Sequence, residues 1–344
     1  MIKSVLVYFS ILICHLTIQA QAVYVDSNTG DDKNPGTKEA PLYSISKASE
    51  IIRSKNNNTY IMKIAPGIYI LDHPVFISTE KEMADNRIII EACILPDDTS
   101  WTPEKMPVIF STSKKGELPD QDYHFVAGFL IDESHVTIRG IKFPGYFYPN
   151  TRYFPIARFN KEKTDLFVEQ CLFVGDEDAS HLQVGIIAHG SKIRADHCVF
   201  YKVRNTIVFW ENGKDGIKTG NGITNSIIYG ATQSGIWTTY PDKDFLFKNN
   251  IVSNCKNFWI KNETNHTVYS IDNCVIVNNR NDLVVAGDEL IPKGFKVVEN
   301  NVIKEGEISL RQKDPVTHYA LPKDYLHSVP GSLGYDLGAG LFKQ

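Results

Sequence analysis

One short pattern recurs along the chain and restricts the folds that the chain can adopt. Each copy joins a β-rich run, a polar pair and a second β-rich run. The second polar position is occupied in turn by Gly140, Gln170, His197, Asn225, Asn249, Asn273 and Asn300. By subtraction, successive copies are 24 to 30 residues apart, within the range of about 20–50 residues that marks a solenoid. Because the copies lack helical periodicity, the sequence predicts an all-β solenoid.

The residue types of this polar column suit a tight bend. Asparagine tolerates left-handed backbone angles and can hydrogen-bond locally. Side-chain amides stacked one coil apart can also bond one another along the axis. We therefore expect a structural ladder along the bends, with His197 as one of its members.

A third strand precedes each two-part copy, which predicts three strands per coil and a prism of parallel sheets. The upstream apolar runs are 128–131, 155–159, 184–189, 206–210, 234–239, 257–261 and 282–286. A solenoid needs protected ends. Residues 44–55 predict an amphipathic capping helix with Ile45, Ala48, Ile51 and Ile52 on one face. The pattern stops at about Ile308, and we expect the remaining residues to cover the other end.

The first twenty-two residues are typical of a secretory signal. Lys3 precedes an apolar run at 5–16, and Ala20, Gln21 and Ala22 fit a small-x-small cleavage site. The run is short for a membrane span, and the bulky residues before Cys14 argue against a lipid anchor. We expect a signal peptide at 1–22, one β-helix domain at 23–344, and a secreted or periplasmic location.

Five cysteines remain after the predicted signal, an odd number that argues against a complete disulfide framework. The column after the bend contains Ile141, Cys171, Cys198, Ser226, Asn250, Cys274 and Asn301. Cys93 follows a run of the same shape, so we assign it to this column. Because cysteine is compact and readily buried, we interpret these thiols as core residues and predict neither a metal site nor a catalytic thiol.

The composition limits the classes of partner. The chain is 22% charged with a net charge of −4, so no strong field points to nucleic acid or to an acidic membrane surface. No later segment is long enough to span a membrane. We therefore expect neither nucleic acid nor a membrane as partner, and we expect a monomer.

Four motifs resemble the pectate-lyase-like superfamily of right-handed parallel β-helices, over nearly the whole predicted mature chain. Residues 24–37 resemble the N-terminal turn of secreted carbohydrate-active members, and residues 40–44 resemble the segment before their capping helix. Residues 64–69 resemble the start of their first coil, with Pro66 in place of one glycine, and residues 336–340 resemble their closing segment. The superfamily includes lyases, hydrolases, esterases and non-catalytic binders, so the motifs specify the fold more than the reaction.

The resemblance implies that a polymer binds on the outer face of the sheet formed by the upstream strands. Residues two apart on a strand share a side. If Ile186, Ile207, Ile236 and Phe258 point inward, the outward residues are Ile187, Val208, Trp237, Trp259, His189, Trp210, Thr239 and Lys261. Arg158 joins this face if Pro155, Ala157 and Phe159 face the core.

These residue types suit an acidic glycan. Trp210, Trp237 and Trp259 can stack on sugar rings, and Arg158 and Lys261 can pair with uronate carboxylates. For a β-eliminating lyase, His189 or Lys261 is the candidate base, Arg158 the candidate carboxylate neutraliser and Tyr240 the candidate proton donor. Glu211 is a further acid or base candidate.

Three alternatives stay open. A hydrolase would use two carboxylates, with Glu211, Asp215, Asp242 and the loop 176–178 as candidates. The same acidic loop offers oxygen ligands to calcium, although the sequence favours a solvated turn there, and no other cofactor is expected. A glycan-binding or surface solenoid would use the tryptophan-rich face without catalysis. We expect a polysaccharide lyase or glycoside hydrolase acting on a pectin-like glycan, with the non-catalytic binder as the alternative.

Overall fold

A computed structural model gives the architecture of the chain. It describes residues 21–54, 59–80, 87–113, 125–146, 151–176, 178–210, 220–240, 242, 244–262, 268–286, 296–312 and 320–343. In chain order the elements are β1 (Gln21–Val25), α1 (Ile45–Arg53), β2 (Tyr60–Ile64), β3 (Ile68–Leu71), β4 (Val75–Ile77), β5 (Ile88–Ala92), β6 (Val108–Ser111), β7 (Phe125–Ile131), β8 (Val136–Arg139), β9 (Lys142–Pro144), β10 (Arg152–Arg158), β11 (Thr164–Glu169), β12 (Leu172–Val174), β13 (Val184–Ala188), β14 (Ser191–Asp196), β15 (Val199–Tyr201), β16 (Asn205–Phe209), β17 (Gly222–Thr224), β18 (Ile227–Tyr229), β19 (Ser234–Thr238), β20 (Leu246–Lys248), β21 (Ile251–Ser253), β22 (Asn257–Lys261), β23 (Val268–Val277), β24 (Asn281–Val285) and β25 (Lys296–Ile303), with 3₁₀ turns at Pro103–Lys105 and Tyr335–Leu337.

The strands stack as coils of a parallel solenoid. Strands β4, β7, β10, β13, β16, β19, β22 and β24 form one eight-stranded parallel sheet. The other seventeen strands form a second sheet, which folds at the polar bend into two faces, as in the pair β11 and β12. This arrangement confirms the predicted all-β solenoid with three strands per coil.

The polar bend forms the expected ladder. Asn225, Asn249 and Asn273 have φ between 49° and 57°. The Asn249 side-chain amide donates to Asn225 Oδ1 at 2.9 Å, and the Asn273 amide donates to Asn249 Oδ1 at 2.8 Å. The assignment of Asn300 to this column is wrong. The last coil is one residue longer than predicted. The bend residue is therefore Asn301, which has φ 53° and donates to Asn273 Oδ1.

The column after the bend points inward for most of its length. Cys171, Cys198 and Cys274 are buried, and their thiols are free. Cys93 is exposed, so its assignment to the core is wrong. The reason is local, because the chain leaves β5 at this point and enters a turn in which Leu95 N–H donates to Asp98 Oδ2 at 2.7 Å.

The capping helix is confirmed at the N-terminal end. Ser44 caps α1 by accepting a hydrogen bond from Lys47 N–H at 3.1 Å, which satisfies one free donor of the first turn. Ile45, Ala48 and Ile52 are buried against β1, β2 and β4.

In the described residues after Ile308, the C-terminal segment packs along the side of the stack, whereas we predicted that it covers the end. Its apolar residues pack on the outer face of the strands that follow the bend, where Leu172, Val199, Ile227, Ile251 and Val275 point outward. Gln170 Nε2 donates to the Leu341 carbonyl at 2.7 Å, and Lys343 N–H donates to Asp97 Oδ1 at 2.9 Å. The segment therefore runs back along the side of the solenoid, because this row of outward aliphatic residues needs cover.

The predicted signal lies mostly outside the described residues, although Gln21 and Ala22 begin β1 and pair with β2. Among the helices that the structure describes, none is long and apolar enough to cross a membrane.

Candidate functional site

The register of the eight-stranded sheet decides which side chains can meet a ligand. Ile156, Ile186, Ile207, Ile236 and Trp259 are aligned on successive strands and all lie in the core. The residues two positions further on share the same side. They are Arg158, Ala188, Phe209, Thr238 and Lys261.

Three predicted site residues therefore point into the core and not outward. Arg158 and Trp259 are 0% exposed, and Lys261 is 1% exposed. The predicted register was off by one residue in β10 and in β22, and a one-residue slip moves every side chain to the other face. The indole of Trp259 has its partner inside the solenoid, because Nε1 donates to Thr238 Oγ1 at 2.9 Å.

The outer face carries a row of rings on consecutive coils. Phe159, His189 and Trp210 directly follow the neighbouring strands β10, β13 and β16, and Trp237 continues the row from β19 on the next coil. The ring centroids are 5.7, 6.5 and 6.4 Å apart in that order. Trp210 is 40% exposed, and the other three are half-buried. We call these four residues the aromatic row.

An apolar floor supports the aromatic row. Ala157, Ile187 and Val208 form an outer cluster with Phe125 and Phe154, separate from the core. The Phe125 ring is 5.0 Å from that of Phe159. On the far side, Trp237 Nε1 donates to Asn262 Oδ1 at 2.7 Å, so the plane of its indole is held by both packing and a hydrogen bond.

An acidic residue that the sequence analysis missed adjoins the row. Ala157 pairs with Leu130, so Asp132 is opposite Phe159, one coil earlier. The Asn160 side-chain amide donates to Asp132 Oδ1 at 2.8 Å. Asp132 is exposed. Only the strand register reveals Asp132, because it directly follows β7, in a coil for which the sequence analysis assigned no outward side.

Arg158 holds the turn that carries His189. Its Nε donates to the His189 carbonyl at 2.9 Å, and Nη2 donates to the Ser191 carbonyl at 3.2 Å. Among the described residues Nη1 has no partner. Burial lowers the pKa of Arg158 to about 9, while the carboxylate of Asp165 acts in the opposite direction. Arg158 is therefore a positioning residue beneath the row, and it cannot contact a ligand on the outer face.

Lys261 belongs to a second buried group. Its Nζ lies 5.5 Å from the centroid of the Tyr269 ring. The backbone N–H of Asp242 donates to the Tyr269 hydroxyl at 3.4 Å, and Asp242 is itself buried. Lys261 and the hydrolase candidate Asp242 therefore approach the same tyrosine inside the solenoid and do not reach the aromatic row.

The remaining predicted residues fall into two sets. Tyr240 is 43% exposed, just after the end of β19. Glu211, Asp215 and Glu177 lie outside the described residues.

The acidic loop is built as a turn around Asp176. The backbone N–H groups of Ala179 and Asp178 each donate to Asp176 Oδ1 at 2.9 Å, and they hold the pKa of that carboxyl below its usual value. In the described part of the chain, no three His, Cys, Asp or Glu residues are grouped so that they could hold a metal ion. Calcium binding stays a prediction.

Comparison with known proteins settles the hand of the solenoid. The family model described as "Right handed beta helix region" matches residues 169–313, which include the polar bend and most of the aromatic row. The chain is a right-handed parallel β-helix.

Solved structures share this β-helix at low identity. A rhamnogalacturonan lyase superposes with a TM-score of 0.54 and 13% identity, covering 82% of this chain and 73% of that one. The pectate lyase Pel9A superposes with a TM-score of 0.53 and 14% identity, covering 92% and 91%. At such identities the likeness concerns the fold alone, and it confirms the right-handed parallel β-helix predicted from the sequence. No curated protein matches the sequence.

Proposed function

We propose that this β-helix protein binds a polysaccharide along the aromatic row. The observation that supports the proposal is the placement of Phe159, His189, Trp210 and Trp237 on consecutive coils of one outer face. Neighbouring ring centroids are 5.7, 6.5 and 6.4 Å apart, so successive sugar units of one chain could contact successive rings.

The exposure of Trp210 favours a ligand. A large aromatic side chain that is 40% exposed leaves apolar surface in water, and contiguous exposed apolar surface usually marks a binding site. The apolar floor and the Trp237–Asn262 hydrogen bond fix the rings before any ligand arrives. A preformed surface loses less conformational entropy on binding.

Cleavage of the bound glycan is a second candidate function, and the position of His189 favours it. Its imidazole lies between the Phe159 and Trp210 rings, and histidine can accept a proton near neutral pH. In a β-elimination, His189 would remove the proton next to a uronate carboxylate, the glycosidic C–O bond would break, and the leaving oxygen would take up a proton. Tyr240 and Glu211 remain the proposed donors.

The structure removes one argument for an acidic glycan. Arg158 and Lys261 were expected to pair with uronate carboxylates, and both side chains are in the core. An acidic pectin-like substrate therefore stays a proposal that rests on the resemblance alone. We also propose that the protein is a monomer. Its N-terminal sequence predicts that it is secreted or periplasmic, and we propose that location.

Calorimetry with a panel of neutral and acidic oligosaccharides tests the proposal. Trp210→Ala should weaken binding about tenfold, which corresponds to about 1.4 kcal/mol, because it removes the exposed ring of the row. Tyr43→Ala is the matched control, since Tyr43 is also an exposed aromatic residue but lies beside the capping helix. Equal affinities of wild type and Trp210→Ala for every bound glycan would refute the assignment.

A product assay separates binding from cleavage. Unsaturated products measured by absorbance indicate a lyase, and new reducing ends without unsaturation indicate a hydrolase. If the protein is a lyase, His189→Ala should reduce turnover far more than binding. Binding without any product would favour the non-catalytic alternative.

A further inference from the structure

We propose that Asp132, Asn160 and Phe159 form a subsite for an uncharged sugar at one end of the aromatic row. This inference rests on the proposed glycan binding and names the class of sugar that this end of the face accepts. It differs from the acidic glycan that the sequence analysis predicted.

The strand register places the three residues together. The backbone N–H of Asp132 donates to the Ile77 carbonyl at 2.9 Å, so Asp132 extends the sheet beyond β7. The β7–β10 pairing puts it opposite Phe159, at the strand spacing of about 4.8 Å. The 2.8 Å bond from the Asn160 amide to Asp132 Oδ1 verifies this neighbourhood.

The turn binds one oxygen of the carboxylate. Asn160 donates to Asp132 with its amide nitrogen and accepts a hydrogen bond from Glu162 N–H with its amide oxygen at 3.1 Å. The bond from Asn160 uses Oδ1, so within the described part of the chain Oδ2 of the exposed Asp132 can accept hydrogen bonds from a ligand.

A carboxylate beside an aromatic ring suits a neutral sugar. The ring packs against the apolar C–H face of the pyranose, and the carboxylate accepts charge-assisted hydrogen bonds from its hydroxyl groups. The charge of Asp132 would repel the carboxylate of a uronate at the same position.

Two other charged side chains at this end are already engaged elsewhere. Glu133 is buried and paired with Lys163 at 3.4 Å. Arg158 is enclosed in the core, where it bonds the carbonyls of His189 and Ser191. Lys161 follows Asn160 in the turn, and the experiment measures whether its charge outweighs that of Asp132.

Calorimetry with pairs of oligosaccharides tests the inference, each pair matched in length and linkage and differing only in the oxidation of C6. Wild type should bind the neutral member at least fivefold more tightly. Asp132→Ala should weaken neutral binding about fivefold, because the hydroxyl acceptor is lost. Asp132→Asn should raise the affinity for the uronate member, since it keeps the shape and removes the charge. The matched control is Asp336→Asn, which removes an exposed carboxylate from the C-terminal segment and should change neither affinity.

The outcomes separate this inference from the proposed function. A wild-type preference for the uronate member, or unchanged affinities in both Asp132 variants, would overturn the subsite while loss of binding in Trp210→Ala still supports the row. Absence of binding to every oligosaccharide would overturn both.

Discussion

Removing one asparagine amide from the bend ladder should lower the free energy of unfolding. Two variants of Asn249 separate the contribution of the amide hydrogen bonds from that of the left-handed backbone conformation. Asn249 donates to Asn225 at 2.9 Å and accepts from Asn273 at 2.8 Å, and its φ is 57°. Each net hydrogen bond contributes about 0.5–1.5 kcal/mol. A left-handed residue other than glycine, asparagine or aspartate costs roughly 1–2 kcal/mol.

Asn249→Gly should therefore lower the free energy of unfolding by about 1–3 kcal/mol, since glycine tolerates the backbone angle and only the amide bonds are lost. Asn249→Ala should lower it by about 1 kcal/mol more, because alanine must also adopt the left-handed conformation. Urea unfolding followed by circular dichroism measures both, with the m-value as the check that the transition itself is unchanged.

The control is Lys248→Ala, which alters the exposed residue just before the bend and should change stability by less than about 0.5 kcal/mol. Equal stabilities of the glycine and alanine variants would show that the backbone angle contributes nothing. A stability of Asn249→Ala equal to that of wild type would refute the ladder as a stabilising element.

Three further predictions concern groups inside the solenoid. Cys171, Cys198 and Cys274 should resist thiol labelling until the protein unfolds, because burial raises their pKa, for Cys171 and Cys274 to about 12; rapid labelling of the native protein would contradict this. Burial lowers the pKa of His327 to about 4, below its value in the unfolded chain, so the contribution of its neutral form to stability should fall as the pH drops from about 6.5 towards 4. Unfolding curves at pH 7 and pH 5 should therefore differ less in His327→Gln than in wild type. An equal difference in the two proteins would contradict the role of His327. Arg158→Ala should destabilise the protein by about 3 kcal/mol or more, since it leaves a cavity and removes the guanidinium donor of the His189 and Ser191 carbonyls. Arg158→Met fills the cavity and should destabilise the protein less in thermal unfolding. Equal losses would mean that the shape of the side chain does not matter.

The geometry at His327 explains why its neutral form is the folded one. Leu341 N–H donates to Nε2 at 2.7 Å, and Nδ1 lies 3.0 Å from the Tyr325 carbonyl. An accepting Nε2 requires an imidazole that is protonated only on Nδ1. Protonation of Nε2 would break the bond to Leu341 and loosen the C-terminal segment from the side of the solenoid.

Much of the fold could be predicted because its determinants are local. Asparagine in the bend, alternating apolar residues in the strands and the capped helix after Ser44 each encode a conformation within a few residues of chain. Repetition then multiplies a weak signal, so the column of bends was recognisable even with lengths that vary from coil to coil.

The candidate site was harder to predict because it depends on which residues of each strand point outward. In β10, Tyr153 and Ile156 are both in the core while Phe154 lies in the outer cluster. Alternation is thus interrupted before Ile156, next to Pro155, which cannot donate to the sheet. Alternation is also interrupted in β22, where Phe258 and Trp259 are both in the core, so the inward direction of Trp259 and Lys261 was not predicted. The last coil is one residue longer than predicted, so Asn301 and not Asn300 belongs to the ladder.

The sequence by itself determined the coil, the bend and the N-terminal cap, since each follows from residue preferences and short-range hydrogen bonds. Only the tertiary structure decided which face each side chain of the eight-stranded sheet occupies, and so brought Asp132 beside Phe159 and enclosed Arg158. It also decided that the C-terminal segment covers a row of outward aliphatic residues along the side. These features depend on register between distant coils, where a shift of one residue reverses the direction of a side chain.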